Sequence, residues 1–191
     1  MKATDFILFL NTFVFLVSCF AIVDNPSATL PLCAWNPSTE FFSPFQLLTY
    51  QFIHVNFHHF AANMLFFLFC ASDIETKINS NKLFFFYLLS GVIAGLSHFL
   101  VSTEPLAGAS GAIWGLLLIH VFLFPYKIIK LGPIGLSAPA MLVFLFASNI
   151  YLFFTEDGDR VSYIAHIFGG LTGITLILLD RYVFNKSKSS N

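Results

Sequence analysis

The charged residues are spaced so that they cut the chain into six long uncharged runs: 6–23, 41–72, 83–103, 105–126, 131–155 and 161–179. A bilayer core of about 30 Å is crossed by roughly 20 residues of α-helix, within a range of about 17–25. No run is shorter than 18 residues, so each is a candidate span. Only 10% of the residues are charged, against about 25% in an average soluble domain. A water-soluble globule is therefore not expected. The 26 Phe instead suit helices that face acyl chains. Nine Lys plus Arg against ten Asp plus Glu leave a net charge of −1. Without a basic footprint the chain has no expected nucleic-acid partner, and membrane lipids are its expected surroundings.

The fold class that follows is an all-α membrane protein, a bundle of six transmembrane helices near 6–23, 56–72, 83–102, 109–125, 134–154 and 161–181. They form one membrane domain over 1–184, followed by a short polar tail at 185–191. With Met1 in the cytoplasm, Lys2, Lys77, Lys82, Lys127, Lys130, Arg181, Lys186 and Lys188 fall inside and Arg160 alone falls outside. That asymmetry is the positive-inside bias, and it puts both termini in the cytoplasm. The first apolar run exceeds the usual 7–15 residues of a signal-peptide core, so residues 1–23 are expected to stay attached. The uncharged stretch 25–39 carries Pro26, Pro31 and Pro37 and reads as loop. The whole first connection, Asp24 to Val55, is about thirty residues, a length that usually serves function. Its Phe41, Phe42, Phe45, Leu47, Leu48 and Tyr50 are expected to sink it partly into the outer leaflet. The alternative is a second helix that already starts near Phe45. Cys19, Cys33 and Cys70 have neither metal spacing nor a disulfide framework, and no cofactor or metal is expected.

Polar groups in hydrocarbon are costly, so those inside the runs mark candidate sites. They are His54, His58, His59, Asn63, His98, Ser110, His120, Asn149 and His166. Gly108-Ala109-Ser110-Gly111 opens the fourth run. Taken alone, it also fits a helix cap and, with Gly115, a packing face. From Ser110 to Pro125 a helix rises only about 22 Å, which places Ser110 below the outer surface. Ala165-His166 lies about 8 Å into the sixth run, at a comparable depth. Gly169, Gly170 and Gly173 below it offer a close-packing face to match Gly111 and Gly115. A hydroxyl and an imidazole brought together in this way make a base-activated nucleophile. His59 and Asn63, at i and i+4, share one helix face, with Asn56 as N-cap. Together with the Ser110 backbone N–H they are the available donors for an oxyanion, or else they join helices by buried hydrogen bonds. No Asp or Glu is expected inside the spans, so the pair is a dyad without an acid. Trp114, one turn after Ser110, is the candidate surface beneath the His166 ring, or simply a packed aromatic.

With these motifs in place, the chain resembles the rhomboid intramembrane serine proteases. Gly108-Ala109-Ser110-Gly111 matches the family's G-x-S-G, His59 to Asn63 its H-x-x-x-N, and Ala165-His166 with Gly169 its A-H-x-x-G. The resemblance implies a Ser110 nucleophile, a His166 general base, and oxyanion binding by His59, Asn63 and the Ser110 backbone. It also implies supporting roles for Gly108, Gly111, Trp114, Gly169 and a structural His54. Many members carry Trp-Arg in the first loop where this sequence has Phe45-Gln46, a departure that bears on the loop's anchoring. The implied activity is cleavage of single-span membrane proteins in or beside their spans, through an acyl-enzyme. Transmembrane substrates with helix-destabilising residues are the implied partners, entering between the second and fifth helices. There Phe144, Phe146, Phe153 and Phe154 either gate entry or face lipid. The site is expected to open to the outside of a bacterial inner (cytoplasmic) membrane. Two alternatives remain: a proteolytically silent relative that escorts membrane proteins, and a small transporter, which lacks an intramembrane charge to carry a coupling ion.

Overall fold

In the computed structural model, residues 1–25, 27–131, 134–155 and 163–189 are described. Pro26, Arg160 and the expected start of the sixth span at 161–162 lie outside them, as do the side chains of Lys130, Asn149, Phe153, Phe154, Lys186 and Lys188. The architecture is mostly helical: α1 (Ala3–Asp24), α2 (Gln46–Thr49), α3 (Phe57–Ile74), α4 (Ser80–His98), α5 (Ser110–Leu123), α6 (Ala138–Thr155) and α7 (Tyr163–Ser189). Among the described residues, four helical segments, 3–23, 57–74, 80–98 and 163–183, are long and apolar enough to cross a membrane, while α5 and residues 138–147 of α6 are shorter apolar helices.

The short helix α5 sits in the middle, packed against α7, α4 and α3, and most of its residues from Gly111 to His120 are buried. The large apolar side chains of α1 point outward instead: Phe9, Phe13, Leu16, Val17, Phe20 and Val23 are exposed, and only a few such as Ile7 and Phe15 turn inward. An apolar shell around a small-residue centre is the arrangement expected where lipid removes any hydrophobic drive between helices and close packing must supply the cohesion.

Several boundaries differ from the sequence reading for identifiable reasons. The helix α4 begins at Ser80 rather than 83, because the Asn79 side chain accepts a hydrogen bond from Lys82 N–H at 2.9 Å and caps the helix. It ends at His98 rather than near 102. Residues 134–137, expected to begin the fifth span, are a strand: β2 (Ile134–Ser137) pairs antiparallel with β1 (Ile128–Leu131), Ile128 opposite Ser137. The helix then starts at Ala138, with Ala140 N–H donating to Ser137 Oγ at 3.3 Å. At the other end, α7 continues helical to Ser189, so most of the expected polar tail is helix.

The expectation that no carboxylate lies within the spanning helices is corrected twice. Asp73 belongs to the last turn of α3, where it accepts from Lys127 Nζ and pairs with His120 Nε2 at 2.8 Å. Asp180 belongs to α7 and accepts from Lys82 Nζ at 2.5 Å. Both carboxylates have a basic partner, as buried charge requires. Nearby, Glu75 accepts from Ala3 N–H at 2.6 Å, Thr4 Oγ1 at 2.7 Å and Ser80 Oγ at 2.5 Å, so it caps the start of α1 from the α3–α4 turn.

Between α1 and α3 the described residues make short turns, at Leu30–Leu32, α2 and Tyr50–Phe52, and then an extended step through Ile53 to Asn56. A continuous helix from Phe45 is therefore not formed. Gln46, 3% exposed, organises this connection. Its Oε1 accepts from Ser43 N–H at 3.0 Å and Trp35 N–H at 3.4 Å, and its Nε2 donates to Phe41 O at 2.9 Å and Pro31 O at 3.1 Å. Four backbone groups in an apolar setting are satisfied by one neutral amide. This is the anchoring that the departure at Phe45-Gln46 left open.

Candidate active site

The site is assembled by the approach of α5 and α7. A Cβ added to Gly169 would run into the backbone of Gly111, and one added to Gly173 into that of Gly115. Main chains in direct contact at two successive turns hold the two helices at a spacing that larger residues would prevent. Gly170, the third residue of the expected face, lies instead against Leu118 and the Trp114 carbonyl. Above this seam, His166 Nε2 stands 2.8 Å from Ser110 Oγ. With Nε2 unprotonated, the hydroxyl donates to it. The His166 ring stacks on Trp114 with centroids 5.4 Å apart and planes 22° from parallel, and Phe146 of α6 meets the same indole edge-on at 4.6 Å.

Ser110 is the first residue of α5 rather than its cap. Ala109 holds the cap position, and no side chain caps the helix there, so the hydroxyl is left for His166. The turn before it depends on Gly108, whose φ of +123° is closed to most L side chains. The same glycine leaves room for the His59 ring, which a Cβ would strike at 2.6 Å. Asn56 Oδ1 accepts from His59 N–H at 2.8 Å and starts α3, so the cap of that helix also sets the position of His59 against the Gly108 turn.

The remaining expected residues fall into distinct places. Asn63 is buried one turn below His59, and its Nδ2 donates back to His59 O at 3.0 Å. One of its two N–H groups is thus engaged within its own helix. His54 is buried and edge-on to His59 at 5.2 Å and to Phe60 at 5.5 Å. Burial first, then the nearby His59, push its pKa down to about 4, so it is a neutral packing group at ordinary pH. His58 is exposed, and His98 Nε2 lies 2.9 Å from Glu104 O. His120, ten residues along α5 and about 15 Å from Ser110 by helical rise, is committed to Asp73. Asp180 is as remote, about 21 Å along α7 from His166.

Comparison with known proteins is decisive about kinship. A family model, the Rhomboid domain, matches residues 42–183, well over half of the chain. The chain belongs to the rhomboid family. It is a rhomboid with several apolar helices, and hence a multi-pass integral membrane protein. It is 29% identical over 145 residues to Rhomboid-like protein 11, chloroplastic, of Arabidopsis thaliana, covering 71% of this chain and 52% of that protein. It is 30% identical over 127 residues to the rhomboid protease GluP of Bacillus subtilis (strain 168), covering 65% of this chain and 24% of the other. It is 25% identical over 182 residues to the rhomboid protease GlpG of Photorhabdus laumondii, covering 95% and 62%. This rhomboid therefore spans less than two thirds of the length of each of these relatives.

The sequence names Gln46 and Tyr50 in this region without giving either its role. Gln46 carried a signal: it is a polar side chain inside the uncharged run 41–72, subject to the same argument that singled out the histidines. Tyr50 was counted only as an apolar residue of the loop.

Proposed function

We propose that this rhomboid is an intramembrane serine endopeptidase that cleaves single-span membrane proteins within or beside their spans. The observation that carries the reading is the 2.8 Å approach of Ser110 Oγ to His166 Nε2, between helices held at backbone contact. In the reaction, Ser110 Oγ attacks the scissile carbonyl while His166 Nε2 takes its proton and returns it to the leaving amine. Water then releases the acyl group, with His166 again as base. The negative oxygen of the tetrahedral intermediate is met by the Ser110 backbone N–H at the start of α5, the His59 ring and the second Asn63 N–H; loss of one such donor usually costs about 10²–10³ in rate. The Trp114 ring supports the imidazole by stacking on it.

The proposed topology has six membrane-crossing helices in one domain over 1–184, both termini in the cytoplasm of a bacterial inner membrane, and the site opening outward through the partly submerged first loop. α5, at 14 residues, is about 21 Å long and falls short of a 30 Å core. A short helix supports a Ser110 sunk below the outer surface and reached by water from that side. Helical substrates shield their own peptide bonds, so spans with Gly or Pro near the outer end are the expected partners.

The test incubates the purified protein in detergent with a fluorescent single-span substrate, alongside Ser110→Ala and His166→Ala. Cleavage by the wild type and loss in both variants is expected. Equal cleavage by all three contradicts the dyad. A wild type that binds the substrate and never cuts it points to the silent escort, the second reading that the fold allows.

A further inference from the structure

Tyr50 is 1% exposed although it stands in the connection ahead of α3. Its hydroxyl donates to Gly91 O in α4 at 2.6 Å, and its own carbonyl accepts from Gly108 N–H at 2.9 Å. The ring lies along Gly95, where an added Cβ would be 3.0 Å from Cε1, and the hydroxyl lies 3.7 Å from a Cβ placed on Gly111. One residue is thus bonded behind to α4 and in front to the turn that presents Ser110. Leu106, just before the turn, is tied to the same connection, with Ala34 N–H donating to Leu106 O at 2.9 Å and Leu106 N–H to Ala34 O at 2.8 Å.

Packing alone does not ask for the hydroxyl. Phe would fill the same slot, and Gly91 O lies inside α4, where the helix itself supplies a donor. The phenol oxygen instead fixes how deep the ring sits, the ring depth fixes the Tyr50 carbonyl, and that carbonyl holds Gly108, whose positive φ sets the direction of the turn. We propose that Tyr50 is a positioning residue for the nucleophile, setting the height of Ser110 Oγ against His166 Nε2 through the Gly108 turn. This rests on the protease reading above. A displacement near 1 Å at the reacting atoms costs about 10² in rate, so a shift of a few tenths should be visible in kcat and absent from KM.

The experiment compares wild type, Tyr50→Phe and Gly95→Ala with a single-span substrate and, separately, with a fluorophosphonate probe. Tyr50→Phe should lower kcat about 5- to 20-fold with KM within about twofold, and slow probe labelling in parallel. Gly95→Ala leaves Tyr50 chemically intact and presses its ring by a few tenths of an ångström, while improving the propensity of α4. It should lower kcat in the same manner with an unchanged or raised melting temperature, a combination that a merely structural role does not produce. If both variants keep wild-type kcat and labelling rate, or if only KM moves, the inference is overturned. If Tyr50→Phe does not fold, Gly95→Ala decides. A wild type that neither cuts nor labels removes the protease reading and this inference with it, whereas an active wild type with two unaffected variants removes this inference alone.

Discussion

Two histidines of this rhomboid hold a partner at the same distance and with the same atom, and the proposed mechanism uses only one of them. His166 Nε2 is 2.8 Å from Ser110 Oγ, and His120 Nε2 is 2.8 Å from Asp73 Oδ2. The second pair is locked into an ionic network. Asp73 also takes Lys127 Nζ, the His120 ring tilts against Phe124 at 5.2 Å, and the ammonium groups of Lys77 and Lys127 each lie 5.9 Å from that same Phe124 ring. The His120 imidazole is held by a carboxylate that Lys127 also engages. An imidazole bonded to a hydroxyl, over an indole and between glycine-lined helices, must be neutral to accept and can pass the proton on. The lesson is that hydrogen-bond distance does not make a site; the chemistry of the partner decides.

The comparison is broken most forcefully by mutating one histidine at a time. His166→Ala or Ser110→Ala should reduce substrate cleavage by at least about 10³-fold. His120→Ala should keep more than about a tenth of it near 10 °C, where a loss of stability is not limiting. Comparable losses in all three, measured as kcat/KM on folded protein, would erase the distinction.

A smaller effect sharpens the other half. Asp73→Asn leaves Lys127 and His120 without their carboxylate and should lower stability by about 1–3 kcal/mol, read as a lower melting temperature in detergent. Its kcat should stay near the wild-type value. A variant that melts normally and loses kcat would move Asp73 into the active machinery.

The smallest effect concerns Glu75. Partial burial pulls its pKa up, but the hydrogen bonds from Ser80, Thr4 and the Ala3 and Thr4 N–H groups outweigh that and hold it below its usual 4.5. The contribution is therefore fully present above about pH 4.5 and lost as pH falls through the lower value in the folded protein. Glu75→Gln should reduce stability at pH 7 by about 0.5–1 kcal/mol, the scale of a helix cap. The difference from wild type should shrink below pH 4. A gap that widens in acid contradicts this sign.

What was readable in the sequence follows from what each residue had to obey. The helical segments were legible because hydrocarbon tolerates few charges, and Asn56 marked the start of α3 because an Asn before an apolar run has an orphan N–H to satisfy. The glycines of α7 announced a close approach, which Gly169 and Gly173 make and Gly170 does not. Other features left weaker traces. The strand β2 lies in a run as apolar as a helix, and an apolar run of that length does not by itself distinguish strand from helix. By its charge Asp73 should end the second span, whereas two basic partners, one of them contributed by distant α5, let α3 run past it. Tyr50 acts through backbone groups that are distant in sequence, Gly91 and Gly108, a kind of contact that no local spacing encodes.

The central claim, that Ser110 is a nucleophile activated by His166, is tested most directly by labelling the purified protein with a fluorophosphonate and locating the adduct by mass spectrometry. The account predicts one modified serine, Ser110, with labelling abolished in Ser110→Ala, strongly slowed in His166→Ala and retained in His120→Ala. An adduct on another serine, or undiminished labelling of Ser110 without His166, would contradict it.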